Sequence, residues 1–188
     1  MTKIHPDRCG YTFGNQDEKN KQTPNQNCCY RETVPDADRC AFHVDSKNTQ
    51  YKTIKTLKSV RTPQKIRKQN TPAELIDGAN LAGMELGDEI SFSNTHLRHA
   101  NFSNCELDGA DFSDAIVRWS DFSSIKSNDI DFSGAQIQYA DFSEVSLSHA
   151  DFFDAAAYGT NFSDSSLPFA DFTGDNLKFS DFSNTDAD

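Results

Sequence analysis

Apolar residues return every five positions along most of this chain. Phe occupies 92, 102, 112, 122, 132, 142, 152, 162, 172 and 182. Midway between them stand Leu97, Leu107, Val117, Ser127, Ile137, Leu147, Ala157, Leu167 and Leu177. Two residues before each centre runs a second row, mostly small: Ala100, Cys105, Ala110, Ala115, Ser120, Ala135, Ala140, Ala150, Ala155 and Ala170. Ala79, Leu81 and Leu86 begin the same pattern, and a one-residue slip before Phe92 resets it. A period of five matches neither the helical 3.6 nor the strand 2.0. It fits a chain that turns a corner every five residues. The centre and the small residue point inward, and the other three face water.

The unit Ala-Asp-Phe-Ser-x over residues 74–188 resembles the pentapeptide-repeat family. That resemblance implies an all-β solenoid, a right-handed quadrilateral parallel β-helix with four pentads to the coil. Residues 90–188 then supply about five coils, and 74–89 most of one more. Each Phe buries ~150–250 Å². At ~25 cal/mol/Å² this is roughly 4–6 kcal/mol gross per ring, an upper bound. Repeat units hold one another through neighbours, and their ends need caps.

On such a coil, each residue lies above the one four pentads earlier. Face one, named from Phe92, stacks Ser91, Asp111, Asp131, Asp151 and Asp171 outward. Face three stacks Asn101, Asp121, Asp141, Asn161 and Asp181. Like charges ~5 Å apart repel by roughly 1 kcal/mol per pair in water, so these columns favour salt or bound cations. Face two differs. It stacks Arg98, Arg118, Gln138, Tyr158 and Lys178, and beside them His99, Trp119, Tyr139, Gly159 and Phe179. A column of exposed aromatics is either a binding surface or a ladder of rings that pack on one another.

Charge divides the chain. Residues 1–70 hold 14 Lys/Arg against 7 Asp/Glu, whereas residues 71–188 hold 4 against 22; the net charge is −11 over 188 residues. Mean hydropathy is −0.70. No stretch is apolar enough for a transmembrane helix, and the start lacks the apolar run of a secretory signal, so a cytoplasmic location is expected. Three zones follow: a Cys/His module over 1–45, a basic linker or capping helix over 46–73, and the repeat over 74–188.

The first zone holds Cys9, Cys28, Cys29, Cys40 and His43. An odd cysteine count in a cytoplasmic chain argues against a disulfide framework. Cys40-Ala-Phe-His43 has ligand spacing. Cys9, Cys29, Cys40 and His43 would form a Cys₃His set suited to tetrahedral structural zinc, with Cys28 as the alternative to Cys29. Free thiols are the other reading. The stretch resembles short Cys/His modules that precede pentapeptide repeats in haloarchaeal proteins. Cys105 belongs to the interior row. In the second zone, Tyr51, Ile54, Leu57 and Val60 recur every three residues among lysines. A short amphipathic helix before Pro63 is expected, either solvated, capping the coil, or meeting an acidic partner or nucleic acid.

No catalytic motif is present: no phosphate loop, no G-x-S-x-G, no H-E-x-x-H. His96 and His99 lie on one face, but no outward acid beside them completes a convincing site. Columns of identical Asp offer no separation of acid and base roles. Two functional readings remain. One is a rigid protein-interaction scaffold presenting face two, with a homodimer as one assembly. The other rests on the family resemblance, which implies that some members mimic duplex DNA and occupy type II topoisomerases. In that reading the Asp columns stand in for phosphates, and the repeat itself does not bind DNA.

Overall fold

The computed structural model describes residues 76–89 and 91–187. The candidate zinc ligands and the basic zone lie outside the described residues. From Phe92 onward, hydrogen-bonded neighbours in adjacent coils stand four pentads apart in sequence. His96 pairs with Ile116, Ile116 with Gln136, and Gln136 with Ala156, all parallel. The same register joins β1 (Lys126–Asn128) to β2 (Ser146–Ser148), with Ser127 opposite Leu147. Before Phe92 the offset is one larger: Asn80 pairs with Asn101 and Glu85 with Glu106. The extra residue falls where a short 3₁₀ turn, Gly87–Glu89, interrupts the repeat.

The corners explain the period. Every fifth residue from Asn94 to Asn184 has a φ between 53° and 87°. Most corners are closed by an amide three residues after the centre, as Ala115 N–H donates to the Phe112 carbonyl at 3.0 Å. Four pentads therefore make four corners and four sides. Gly, Asn and Asp hold most of these corners, because they tolerate the left-handed region.

The core is two columns of rings. Phe residues one coil apart stack with centroids 4.8–5.3 Å apart. Phe residues half a coil apart, on opposite sides, meet edge-to-face, as Phe122 and Phe132 do at 5.3 Å. Each such pair contributes about 0.5–1.5 kcal/mol beyond its buried area. The small row admits hydroxyls because a carbonyl lies one coil back. Ser120, Thr160, Ser165 and Thr185 each donate to the carbonyl 23 residues earlier, at 2.6–2.8 Å. The row is not uniformly small, as Ile125, Ile130 and Val145 are also buried in it. Ile125 and Ile130 flank Ser127, the one polar centre between fully buried apolar ones, and so restore the missing volume. Ser127 Oγ accepts the Leu107 amide at 2.9 Å, replacing a backbone bond of that side.

Candidate interaction surface

Face two ends in a corner that carries stacked rings. His99 stacks on Trp119 with centroids 5.3 Å apart and planes 8° from parallel. Trp119 stacks on Tyr139 at 5.9 Å and 5°. The next corner residue is Gly159, and Tyr139 lies over it: a Cβ at Gly159 would stand 2.8 Å from the ring. Tyr158 takes up the column from one residue earlier. It meets Tyr139 edge-on at 5.5 Å and Phe179 edge-on at 5.2 Å. The rings therefore pack on one another and still face water: Trp119 is 47% exposed, Tyr139 49% and Phe179 69%.

His99, Trp119, Tyr139 and Phe179 all occupy left-handed corners, with φ from 56° to 66°. Bulky residues seldom adopt this region, at a cost of order 1–3 kcal/mol each. A second pair of this kind, His149 and Phe169, stacks at 4.9 Å on the opposite corner.

The flank on face two bears donors. Arg98 pairs with Asp77, whose carboxylate also accepts the Arg98 amide. Asp77 is only 3% exposed, against 39% for Arg98. Arg118 donates to Gln138 at 2.8 Å and to Gln136 at 2.5 Å. Lys178 Nζ sits 5.0 Å from the Phe179 ring centroid, within cation–π range. Asp77 also acts on His96 through its charge, as a buried acid and not an outward one. Asp77 precedes the slip, so its offset from Arg98 is one position longer than a regular coil, which hid it. Burial lowers the His96 pKa, Asp77 opposes that shift, and Arg98 adds to it.

The carboxylate columns are turn elements as well as surface charge, half-buried from Asp111 to Asp151 and exposed at Asp171 and Asp181. In each, Oδ1 accepts the amide two residues on: Asp111 from Ser113 at 3.0 Å, Asp121 from Ser123 at 2.9 Å, Asp131 from Ser133 at 2.7 Å. Asp141, Asp151, Asp171 and Asp181 do the same, as do Asn101 and Asn161. The Ser hydroxyl often joins in, as from Ser113 and Ser123. This accounts for the Asp-Phe-Ser order: an acceptor, a core ring and a donor close one corner. Burial alone would raise the Asp111 carboxyl, but hydrogen bonds from Ser113, Ser91 and Ser93 hold it below its ordinary value. Thr173 lowers Asp171 through its hydroxyl and amide, and Ser183 lowers Asp181 through its amide and hydroxyl. Among the described residues, no group of three His, Cys, Asp or Glu side chains is placed to hold a metal ion.

With four-sided coils, corners every fifth residue and an Asx-closed Asp-Phe-Ser turn established, comparison with known proteins is direct. Residues 83–152 match the family model described as pentapeptide repeat region. Solved structures similar to the chain include three pentapeptide repeat or resistance proteins. One is from the thylakoid lumen of Arabidopsis thaliana, 26% identical, with 58% of this chain and 64% of that chain covered and a TM-score of 0.26. The match thus spans less than two thirds of that protein. Another is Rfr23 from the cyanobacterium Cyanothece 51142, 22% identical over 69% of each chain, TM-score 0.28. A third is trypsin-treated QnrB1, a plasmid-mediated fluoroquinolone resistance protein, 18% identical over 62% of this chain and 78% of that one, TM-score 0.32. No curated protein sequence matches the chain.

Within this pentapeptide repeat region and the coils that continue it, Arg98, His99, Arg118, Trp119, Tyr139, Tyr158, Lys178 and Phe179 form one corner stripe. Asp121, Asp141 and Asp181 line its far flank, while Asp111, Asp131, Asp151 and Asp171 lie on face one. Sequence reasoning missed Asp175, which occupies the small interior row above Ala155. Neither of its carboxyl oxygens has a hydrogen-bond partner. Burial pushes its pKa up to about 7, with Asp171, Asp154 and Asp151 adding to the rise and the Ala155 main chain opposing it. No parallel pairing joins Asn176 to Ala156 beneath it, among the described residues. A charged letter in a small-residue row was the signal.

Proposed function

We propose that this chain is a non-enzymatic interaction scaffold, a right-handed rod that offers its ring-lined corner to a protein partner. The observation that carries this is the run of aromatic side chains held exposed at left-handed corners, where Asn, Asp or Gly would cost less. Stacking alone needs no such exposure: the Phe columns stack inside. Ring edges with Arg118 beside them match the composition of protein contact sites, which favour aromatics and Arg. Residues 1–45, with zinc held by Cys9, Cys29, Cys40 and His43, would serve as a folded end module. Capture of partners from a nuclease-treated lysate by wild type and by Trp119→Ala tests the reading. Loss of one specific protein with an unchanged melting curve supports it; an identical partner set overturns it.

The Asp columns favour a second reading, mimicry of duplex DNA toward a type II topoisomerase. Asn already stands at two column positions and closes the same turn. Exchanging Asp111, Asp131, Asp151 and Asp171 for Asn therefore removes charge and keeps the corner. Loss of gyrase inhibition on that exchange would support mimicry, and indifference to it would rule mimicry out.

A further inference from the structure

The two flanks of the ring-lined corner differ in kind at every coil. On the face-two side stand Arg98, Arg118, Gln138, Tyr158 and Lys178, all hydrogen-bond donors and none acidic. On the face-three side stand Asn101, Asp121, Asp141, Asn161 and Asp181, all acceptors and none cationic. Four of the five levels also match in charge, the exception being neutral Gln138 across from Asp141. The free cations Arg118 and Lys178 have Asp121 and Asp181 across the corner. Arg98, already neutralised by Asp77, has neutral Asn101, and Tyr158 has neutral Asn161. The chain does not join these flanks itself: Arg118 turns to Gln138 and Gln136, and Lys178 to Phe179. The only ion pair among the described residues is Arg98 with Asp77.

From this pattern we infer that the corner is a self-association surface on which a second copy of the chain lies side by side and parallel. The inference rests on the scaffold reading above, in that it takes the same corner as a contact surface, and it names the contact. Two-fold symmetry decides the orientation. An axis parallel to the rod sets the donor flank of one copy against the acceptor flank of the other, level by level. An axis perpendicular to the rod and in the contact plane gives antiparallel rods, with donors against donors and Asp against Asp. Only the parallel pair is complementary, and its self-matching surface is that of an isologous dimer. Ring edges meet between the flanks over five coils, about 20 Å at ~4.8 Å per coil. So narrow a stripe buries less than the ~800 Å² per partner of a standard interface, so the dimer is weak and concentration-dependent. Charge pairs at its rim make it salt-sensitive.

A pair of charge-reversed variants tests this. Arg118→Asp places Asp against Asp121 of an identical copy, and Asp121→Arg places Arg against Arg118. Each variant alone should dissociate at least about tenfold more readily than wild type, a change of about 1.4 kcal/mol. Mixed together, they form a heterodimer in which both contacts are again opposite in sign, so association returns to near the wild-type level. Sedimentation velocity of the full-length chain, over a concentration series at low and high salt, reads all three samples, and circular dichroism confirms that each variant is folded. Restoration in the mixture supports the parallel dimer, since no contact within one chain produces it. Wild type that stays monomeric throughout the series overturns the inference. So does a dimer that survives both single changes, or a mixture that fails to associate. If the inference fails in any of these ways while Trp119→Ala still loses a foreign partner, the scaffold reading stands alone.

Discussion

The ring of Tyr139 lies across Gly159, one coil further on, so closely that a Cβ there would stand 2.8 Å from Cδ1 and Cε1. Gly159 also has a φ of 68°. Both facts oppose any side chain. Gly159→Ala is expected to lower stability by about 1–3 kcal/mol. In the double variant with Tyr139→Ala the steric part should vanish and the backbone part remain. Chemical denaturation of the four forms measures the coupling.

Asp175 makes stability fall as pH rises. Its folded pKa, about 7, lies above the ordinary carboxylate value. Between about pH 4 and pH 7 the folded chain holds a proton that the unfolded chain has released, so stability declines through that window. Below it, both states are protonated and the penalty is absent. Ser165 and Thr185 show what the row accepts, a hydroxyl donating to a carbonyl of the coil before. Asp175→Ser should therefore stabilise the chain by ~1–3 kcal/mol at pH 8, the cost of an unpaired buried polar group. Thermal melts should show a larger gain at pH 8 than at pH 4, where the ionisation part of the penalty is absent.

The column carboxylates act in the opposite sense. Asp111, Asp171 and Asp181 titrate below their ordinary value in the folded chain. The stability they contribute is complete above about pH 4 and is lost as pH falls through their lowered pKa values. Asp111→Asn keeps the Oδ1 acceptor and should lose at pH 7 only what the charge contributes, the Ser91 bond to Oδ2 included. Asp111→Ala removes the corner acceptor and should cost about 1 kcal/mol. An acid titration of Asp111→Asn should also be shallower than that of wild type.

Asp77 depends on Arg98. Removing the guanidinium with Arg98→Met leaves a buried carboxylate with less compensation. The loss should be about 2–4 kcal/mol, below the value for a fully buried pair because Arg98 is partly solvated. Asp77→Asn retains an acceptor for the Arg98 amide and should cost less. Urea midpoints of both variants at pH 7 separate the two effects.

Residues 1–45 give a direct analytical prediction. Purified full-length chain should carry close to one equivalent of zinc by elemental analysis. Less than a tenth of an equivalent, with no chelator used, would dismiss the Cys₃His set.

The coil and its core columns were legible in the letters alone. Ten Phe at strict spacing and the small row between them impose a five-residue corner, because each repeat solves the same local packing problem as its neighbour. The slip before Phe92 was legible for the same reason. What lay beyond the letters depends on which atoms meet across coils. Asp-Phe-Ser reads as surface charge until Oδ1 is seen accepting the amide two residues on. The rings of face two read as ladder or binding surface, and only the fold shows that they stack on one another while staying exposed. Asp77 and Arg98 meet only through the longer offset before the slip. Asp175 is one carboxylate among many until burial and the Asp cluster around it set it apart. Periodicity is a property of the chain, whereas hydrogen bonds, stacking and desolvation are properties of neighbours one coil away, and only the folded solenoid brings those together.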